Sequence, residues 1–416
     1  MQPPSDQKQP PRRKPLAGIR VLEMGQLMAG PFAGTLLAYF GAEVIKVEPP
    51  IKGDAVRGWR ELDETGTSVW WYSLGRNKKC ITLNLRLEQG RNLARRLADK
   101  VDVLIENFRP GTMERWGLGP KEIRRTNPGI IYTRVSGYGQ DGPYAARPGY
   151  ASVCEGIGGL RYVNGFPGQP PVRPNLSLGD SLAGLHAAFG TLLALFDRLR
   201  QGATSRGQGQ GQGQEVDVAI YESVYNMMEA VVPEFDYSGA IRGPSGTTIT
   251  GIVPTNTYLC GNGKHVIIGG NGDSIFQRLM RAAGRPELAE DSRLADNAGR
   301  VTHQTEVDNA ISAWTATLTS AQVLEILEAA DVPAGPIYSV QDMVEDPHFI
   351  ARGMFEEVQA GGRTLKIPAI LPKLSETPGA TEWAGPKVGS HNNEILASLL
   401  GVSDDELKEL RDEGVV

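Results

Sequence analysis

Residues 176–186 read Leu-Ser-Leu-Gly-Asp-Ser-Leu-Ala-Gly-Leu-His and set one acid, Asp180, where an apolar approach gives way to a helical pattern. Behind it Leu182, Leu185, Phe189, Leu192, Leu193 and Phe196 recur at helical spacing and predict one apolar stripe. The first N–H groups of a helix lack partners and its dipole favours negative charge there. A carboxylate so placed is either an ordinary N-cap or a nucleophile toward an activated acyl group. Gly179 before it allows another group to approach the backbone closely.

Three further constellations could carry chemistry. The turn Gly25-Gln-Leu-Met-Ala-Gly30, with Glu48 ending the next strand, invites a dinucleotide reading, but the glycine fingerprint G-x-G-x-x-G is missing. Ser136-Gly-Tyr-Gly-Gln-Asp-Gly-Pro143 follows a strand and reads as a ligand-side loop carrying Tyr138, or as a plain connection. Arg76-Asn-Lys-Lys79 and Arg109, in Glu106-Asn-Phe-Arg-Pro-Gly111, put positive charge in turns beside strands. Such charge suits phosphates or is solvated surface.

The elements that must hold these residues read as a doubly wound α/β fold. Ile19–Met24, Glu43–Glu48, Cys80–Leu85, Val101–Ile105, Ile130–Val135 and Glu215–Ile220 are predicted strands. Helical patterns alternate with them, over Ala29–Tyr39 with Pro31 in its first turn, over Glu88–Lys100, and onward from Asp180. That alternation predicts a mostly parallel, Rossmann-like sheet. A Gly-Gln tract within 202–214 reads as a solvated loop. Tyr258–Gly272 predicts a hairpin turning at Gly261-Asn262-Gly263, and Thr319 with Gln322 a helix capping box. The expected division is a lead-in over 1–14, a large domain over 15–224 and 330–416, and a smaller α+β domain over 225–329.

Composition narrows the partners. The 416-residue chain has a net charge of −5, which disfavours nucleic-acid binding. No apolar run is read as long enough to span a bilayer, and 1–14 lacks the apolar core of a secretory signal. Cys80, Cys154 and Cys260 are odd in number and far apart, which argues against a disulfide framework and for a reducing, cytoplasmic setting. No Cys or His pair has metal-ligand spacing, so no metal is expected.

Together these pieces resemble the class III CoA-transferases, the family of formyl-CoA transferase and carnitine CoA-transferase. The matching segments include Pro15-Leu-Ala-Gly-Ile-Arg-Val-Leu22, Ala29-Gly-Pro-Phe32, Gly41-Ala-Glu-Val-Ile-Lys-Val-Glu48, Gly53-Asp54 with Arg57, Arg76-Asn-Lys-Lys79, Glu106-Asn-Phe-Arg-Pro-Gly111, Ser136-Gly-Tyr-Gly-Gln140, Gly179-Asp180, Pro333-Ala-Gly-Pro336 and Asp346-Pro347. The resemblance implies acyl-CoA thioesters and free carboxylic acids as substrates, no permanently bound cofactor, and an interlaced homodimer. It implies that Asp180 is the nucleophile and forms an aspartyl-CoA thioester. Arg76, Lys78, Lys79, Asn107 and Arg109 would contact CoA, and Tyr138 would line the acyl site.

The chain departs from formyl-CoA transferase at Met28, where that enzyme has Gln, and at Thr250-Gly-Ile-Val-Pro254, where Gly251 replaces a run of four glycines. Both argue against formate and oxalate. The overall pattern is most similar to members acting on short dicarboxylates, with succinyl-CoA as the expected donor. A second carboxylate needs a cationic partner, and Arg57 and then Arg147 are the first choices for that clamp. Two alternatives stand beside this reading. One is the α-methylacyl-CoA racemase branch, whose Gly-His-Asp is replaced here by Gly149-Tyr150-Ala151, leaving Tyr150 where the base would be. The other is a non-catalytic acyl-CoA-binding protein.

Overall fold

The computed structural model describes residues 13–204 and 211–416. Most of the lead-in expected over 1–14, and 205–210 of the Gly-Gln tract, lie outside the described residues. The main sheet comprises β1 (Arg20–Glu23), β2 (Glu43–Glu48), β3 (Lys78–Thr82), β4 (Val103–Glu106), β5 (Ile131–Ser136) and β6 (Glu215–Ala219). All its pairings are parallel, in the order β3-β2-β1-β4-β5-β6. The chain builds outward from β1 to β3, then returns to β4 on the other side. The resulting switch point between β1 and β4 is where such sheets form a crevice for ligands.

Consecutive strand residues point to opposite faces, and here both faces are covered. Val21, Val44, Val103 and Ile131 enter one core with Ala33 and Leu37 of the helix Ala29–Tyr39 and with Ala183, Ala187 and Leu195 of the helix Leu178–Thr204. Their neighbours Leu22, Ile45, Leu104 and Tyr132 enter the other core, against Leu93 and Leu97 of the helix Glu88–Ala98 and against Leu396 and Leu407 from the C-terminus. The returning C-terminus also covers the β3 edge. Cys80 N–H donates to His391 Nδ1 at 3.1 Å and Thr82 N–H to Asn392 Oδ1 at 2.8 Å, satisfying groups an open edge would expose.

The chain divides into two units. The larger holds the main sheet and, among the described residues, spans 13–160, Pro174–Glu229 and Ile350–Val416, including the hairpin of β10 (Phe355–Ala360) and β11 (Arg363–Pro368). The smaller spans Arg161–Arg173 and Ala230–Phe349. The expected limits of 225 and 329 therefore shift. β9 (Ala334–Pro336) adds to the hairpin of β7 (Thr255–Leu259) and β8 (His265–Gly269), which carries the smaller unit past 329. The 161–173 segment joins it through Gly246 N–H donating to Gly165 O at 2.9 Å. The hairpin turn at Gly261–Gly263 and the Thr319–Gln322 capping box both form.

Two readings of the long helix are corrected. It begins at Leu178, so Asp180 sits inside its first turn and is not the N-cap. The predicted stripe does not enter the core: Leu185, Phe189, Leu192, Leu193 and Phe196, with Leu199, are 40% to 62% exposed. The buried face is instead Ala183, Ala187, Ala188, Thr191, Ala194 and Leu195, whose small side chains admit the neighbouring helix closely. Gly184 marks that approach, since a Cβ there would meet the Ala29 carbonyl at 2.7 Å. A helix apolar all round gives a periodicity that cannot say which face is buried. The same composition makes Leu178–Gly202, with a mean hydropathy of 1.3, long and apolar enough to cross a membrane, contrary to the expectation that no such run exists. Its alanine face is committed to the core of the larger unit.

Candidate active site

Asp180 is placed by the direction of its helix. Thr191 Oγ1 and Thr133 Oγ1 lie 2.7 Å apart at mid-sheet, and Arg198 Nη2 donates to Asp102 Oδ1 at 2.8 Å beside the start of β4. The helix thus runs against the strands, and its first turn reaches their C-terminal edge, where the crevice lies. Asp180 is half-buried there. Around it pack Ala151 and Glu155 of the helix Ala151–Ile157, together with Ile220: a Cβ on Gly179 would meet all three within 3.4 Å. Gly179 N–H donates to Glu155 Oε1 at 3.3 Å. Cys154 Sγ lies 3.3 Å from Gly137 O, and burial, with Asp180 and then Glu155 beside it, pushes the thiol up to about 11. A thiol held neutral in this way is a poor nucleophile.

The loop after β5 supplies an aromatic wall. Tyr138 is buried and its ring stands 6.1 Å from Tyr144 and 6.0 Å from Tyr221. Burial raises the Tyr138 phenol, Cys154 adds to this, and Arg147 opposes it. Arg147 stacks 3.7 Å over the Tyr144 ring. A Cβ on Gly149 would lie 2.9 Å from Tyr138 Cε2, so this glycine lets the strand of chain before Tyr150 cross the ring. Tyr150 itself is 73% exposed and stands at the N-cap position of Ala151–Ile157 without a side-chain capping bond.

The two loops of the switch point are tied together by Asn107. Its Oδ1 accepts the Gln26 N–H and its Nδ2 donates to Gln26 O, both at 2.8 Å. Gly25 makes room, since a Cβ there would sit 2.9 Å from that Oδ1. Asp54 accepts the N–H of Leu27 at 3.0 Å, and Lys46 Nζ donates to Gly25 O at 2.9 Å. Leu27 is held at φ 65, a conformation a branched side chain adopts only when its surroundings impose it. Met28 follows this turn and packs against the cluster of Val56, Trp71, Leu74 and Cys80. Arg109 is exposed on the second loop.

Several residues expected to meet substrate are turned inward. Lys78 is fully buried, 2.7 Å from Glu23 and 2.6 Å from Pro31 O. Arg76 donates to Pro368 O at 2.7 Å and to Ser73, and is 2% exposed. Arg57 gives Nε and Nη2 to Glu48, both at 2.7 Å, and Nη1 to Pro386 O at 2.9 Å. With every nitrogen engaged, Arg57 is a brace within the fold and does not fit the acceptor-clamp role. Arg76 and Lys78 likewise do not fit as CoA contacts: Arg76 is enclosed and spent on Pro368 O and Ser73, and Lys78 could leave only by stranding the buried Glu23 carboxylate. Lys79 is partly exposed and paired with Glu43 at 2.8 Å and Glu394 at 2.6 Å. A cavity of about 630 Å³ lies beside Trp71, Tyr72, Lys79 and Trp383, and Asp180 does not line it. Gly251 belongs to the smaller unit, where Asn297 Nδ2 donates to its carbonyl at 2.8 Å. Among the described residues no group of three or more His, Cys, Asp or Glu could hold a metal.

The family model of CoA-transferase family III matches residues 16–392. The chain belongs to this family. Over 410 residues, 98% of this chain and 99% of the other, the CoA-transferase is 47% identical to the succinyl-CoA–D-citramalate CoA-transferase of Chloroflexus aurantiacus. It is 33% identical over 402 residues, 94% and 97% of the two chains, to the succinate–glutarate CoA-transferase of Agrobacterium fabrum. The crystal structure of a CAIB/BAIF family protein from Brucella suis superposes with a TM-score of 0.81 at 32% identity, covering 93% of this chain and all of that one. The protein is therefore a CoA-transferase, with CoA thioesters as its substrates.

Proposed function

We propose that this CoA-transferase moves CoA from succinyl-CoA to a short dicarboxylic acid through an aspartyl-CoA thioester on Asp180. The observation that carries the nucleophile is the half-buried carboxylate at the sheet's C-terminal edge, fixed in the first turn of a helix whose opposite end is anchored in the core. Asp180 Oδ attacks the thioester carbonyl, and CoA thiolate leaves as the mixed anhydride forms. The thiolate then attacks the aspartyl carbonyl, giving the enzyme thioester and releasing the donor's carboxylate. The acceptor carboxylate attacks that thioester, the thiolate leaves again, and its return to the acceptor's acyl carbon frees Asp180. Each step trades one activated acyl group for another, so the thioester's energy is retained without ATP.

The dicarboxylate reading draws on relatives named for D-citramalate, L-malate and glutarate. Arg147, exposed and stacked on Tyr144, takes over as the clamp for the distal carboxylate now that Arg57 is engaged. If the bound substrate covers Arg147 and takes the pair out of water, a methyl group in place of the distal carboxylate costs several kcal/mol. Succinyl-CoA should therefore exceed butyryl-CoA as donor by on the order of a hundredfold, and Arg147→Met should depress succinyl-CoA turnover far more than CoA binding. A panel of donors and acids read by mass spectrometry decides this; equal rates with the two donors would end the dicarboxylate reading.

The exposed stripe Leu185–Leu199 of the nucleophile helix supports a homodimer, because monomers rarely leave so contiguous an apolar face in water.

A further inference from the structure

We infer that Glu155 is a positioning residue for the nucleophile, a cap supplied from a separate helix to the start of the helix that carries Asp180. This rests on the reading of Asp180 proposed above. The opening turn of any helix leaves N–H groups without intrahelical partners, and a buried one must find an acceptor elsewhere. Gly179 N–H finds it in Glu155 Oε1, 3.3 Å away. The Glu155 side chain is fully buried. The contact is tightly packed at Gly179: an added Cβ would sit 3.3 Å from Glu155 Cγ and 3.3 Å from Ile220 Cγ2, so these neighbours would have to shift by a few tenths of an ångström.

Asp180 is the next residue after Gly179, so the bond fixes the peptide plane from which the nucleophile projects. Glu155 also shares with Asp180 the Cys154 thiol, on which both carboxylates act. A displacement of about 1 Å at a nucleophile is enough to cost two orders of magnitude in rate. Glu155 does not touch the reacting atoms in this scheme; it acts through the Gly179 peptide.

The distinction between Gln and Met tests this in the full-length protein. Glu155→Gln keeps an oxygen that accepts the Gly179 N–H, whereas Glu155→Met keeps the volume and removes the acceptor. In steady state with succinyl-CoA and a dicarboxylate, Glu155→Met should lose about 30-fold to 100-fold in kcat. Its KM for succinyl-CoA should stay within about threefold and its CoA affinity by calorimetry should be unchanged, as expected when an interaction acts on the chemical step. Single-turnover mass spectrometry should show the CoA adduct on Asp180 forming more slowly by the same factor. Glu155→Gln should keep kcat within about fivefold of the wild type.

Wild-type kcat in Glu155→Met overturns the inference, and so does an equal collapse of both variants with CoA affinity intact. If Glu155→Met does not fold, Glu155→Gln decides alone: a loss above about tenfold with CoA affinity unchanged overturns it. A wild-type protein that transfers no CoA from any donor in the panel overturns the proposed function and this inference with it. Wild-type transfer alongside an unaffected Glu155→Met variant overturns this inference only.

Discussion

Asp180 and Arg57 illustrate how a single charged side chain is judged by what engages it. Asp180 is half-buried in a helix's first turn, while Arg57 spends three nitrogens on Glu48 and Pro386. Asp180→Asn should lower transfer on the order of 10⁴-fold or more with CoA affinity preserved, read by steady-state kinetics and calorimetry. Inside the first turn Asn forfeits only the charge–dipole term, about 0.3–1 kcal/mol, so the fold should hold and substantial residual activity would reduce Asp180 to a structural role. Arg57→Met leaves Glu48 buried without its charge partner. It should lower unfolding free energy by about 3–5 kcal/mol in chemical denaturation; a small change in stability with a selective loss of dicarboxylate turnover would restore Arg57 to the acceptor site.

The helix Leu178–Thr204 works as an element with two faces. Its alanine face packs on Ala29–Tyr39, while the leucine and phenylalanine face points outward. A symmetric partner would bury the second face in each copy, so one charge there is felt twice. Leu193→Asp should convert the proposed dimer to monomer in sedimentation velocity while far-ultraviolet circular dichroism stays unchanged. A wild-type protein that sediments as a monomer would remove the dimer reading. The loop clamp by Asn107 belongs to this scale too: it joins β1 and β4 across the crevice and uses both ends of its amide to do so.

Over the whole larger unit, stability is coupled to a buried charge network. Lys46 stands 2.8 Å from Asp54 and 3.0 Å from Glu23, all three fully buried, and Lys78 reaches the same Glu23. Burial alone would raise the Asp54 carboxyl, but Lys46 and the N–H groups of Val56 and Leu27 outweigh it and hold Asp54 below its ordinary 3.8. A carboxyl depressed in the folded state binds protons more readily when unfolded. Its stabilisation is therefore fully present above 3.8 and is lost as pH falls through the depressed value. Melting temperatures should fall steeply for the wild type as pH drops below 3.8. Asp54→Asn should be less stable at neutral pH and show a flatter acid limb; parallel limbs would assign acid unfolding to other groups.

The sequence by itself determined the strands, their parallel alternation with helices, the acid at a helix start and the family. Those features are written in local periodicity and in motifs that lie along one stretch of chain. Val21 and Leu22 announce a strand buried on both faces, and Gly179-Asp180 announces a helix start, without reference to anything distant. Tertiary structure alone decided which cations are available. Arg76, Lys78 and Arg57 are indistinguishable from Arg109 as letters, yet three are enclosed by carboxylates and carbonyls contributed from far along the chain, and one is exposed. It also decided which face of an all-apolar helix is core, and it placed Glu155 against Gly179 across 24 residues. Partners of that kind depend on where two elements dock, and no spacing within one segment encodes that meeting.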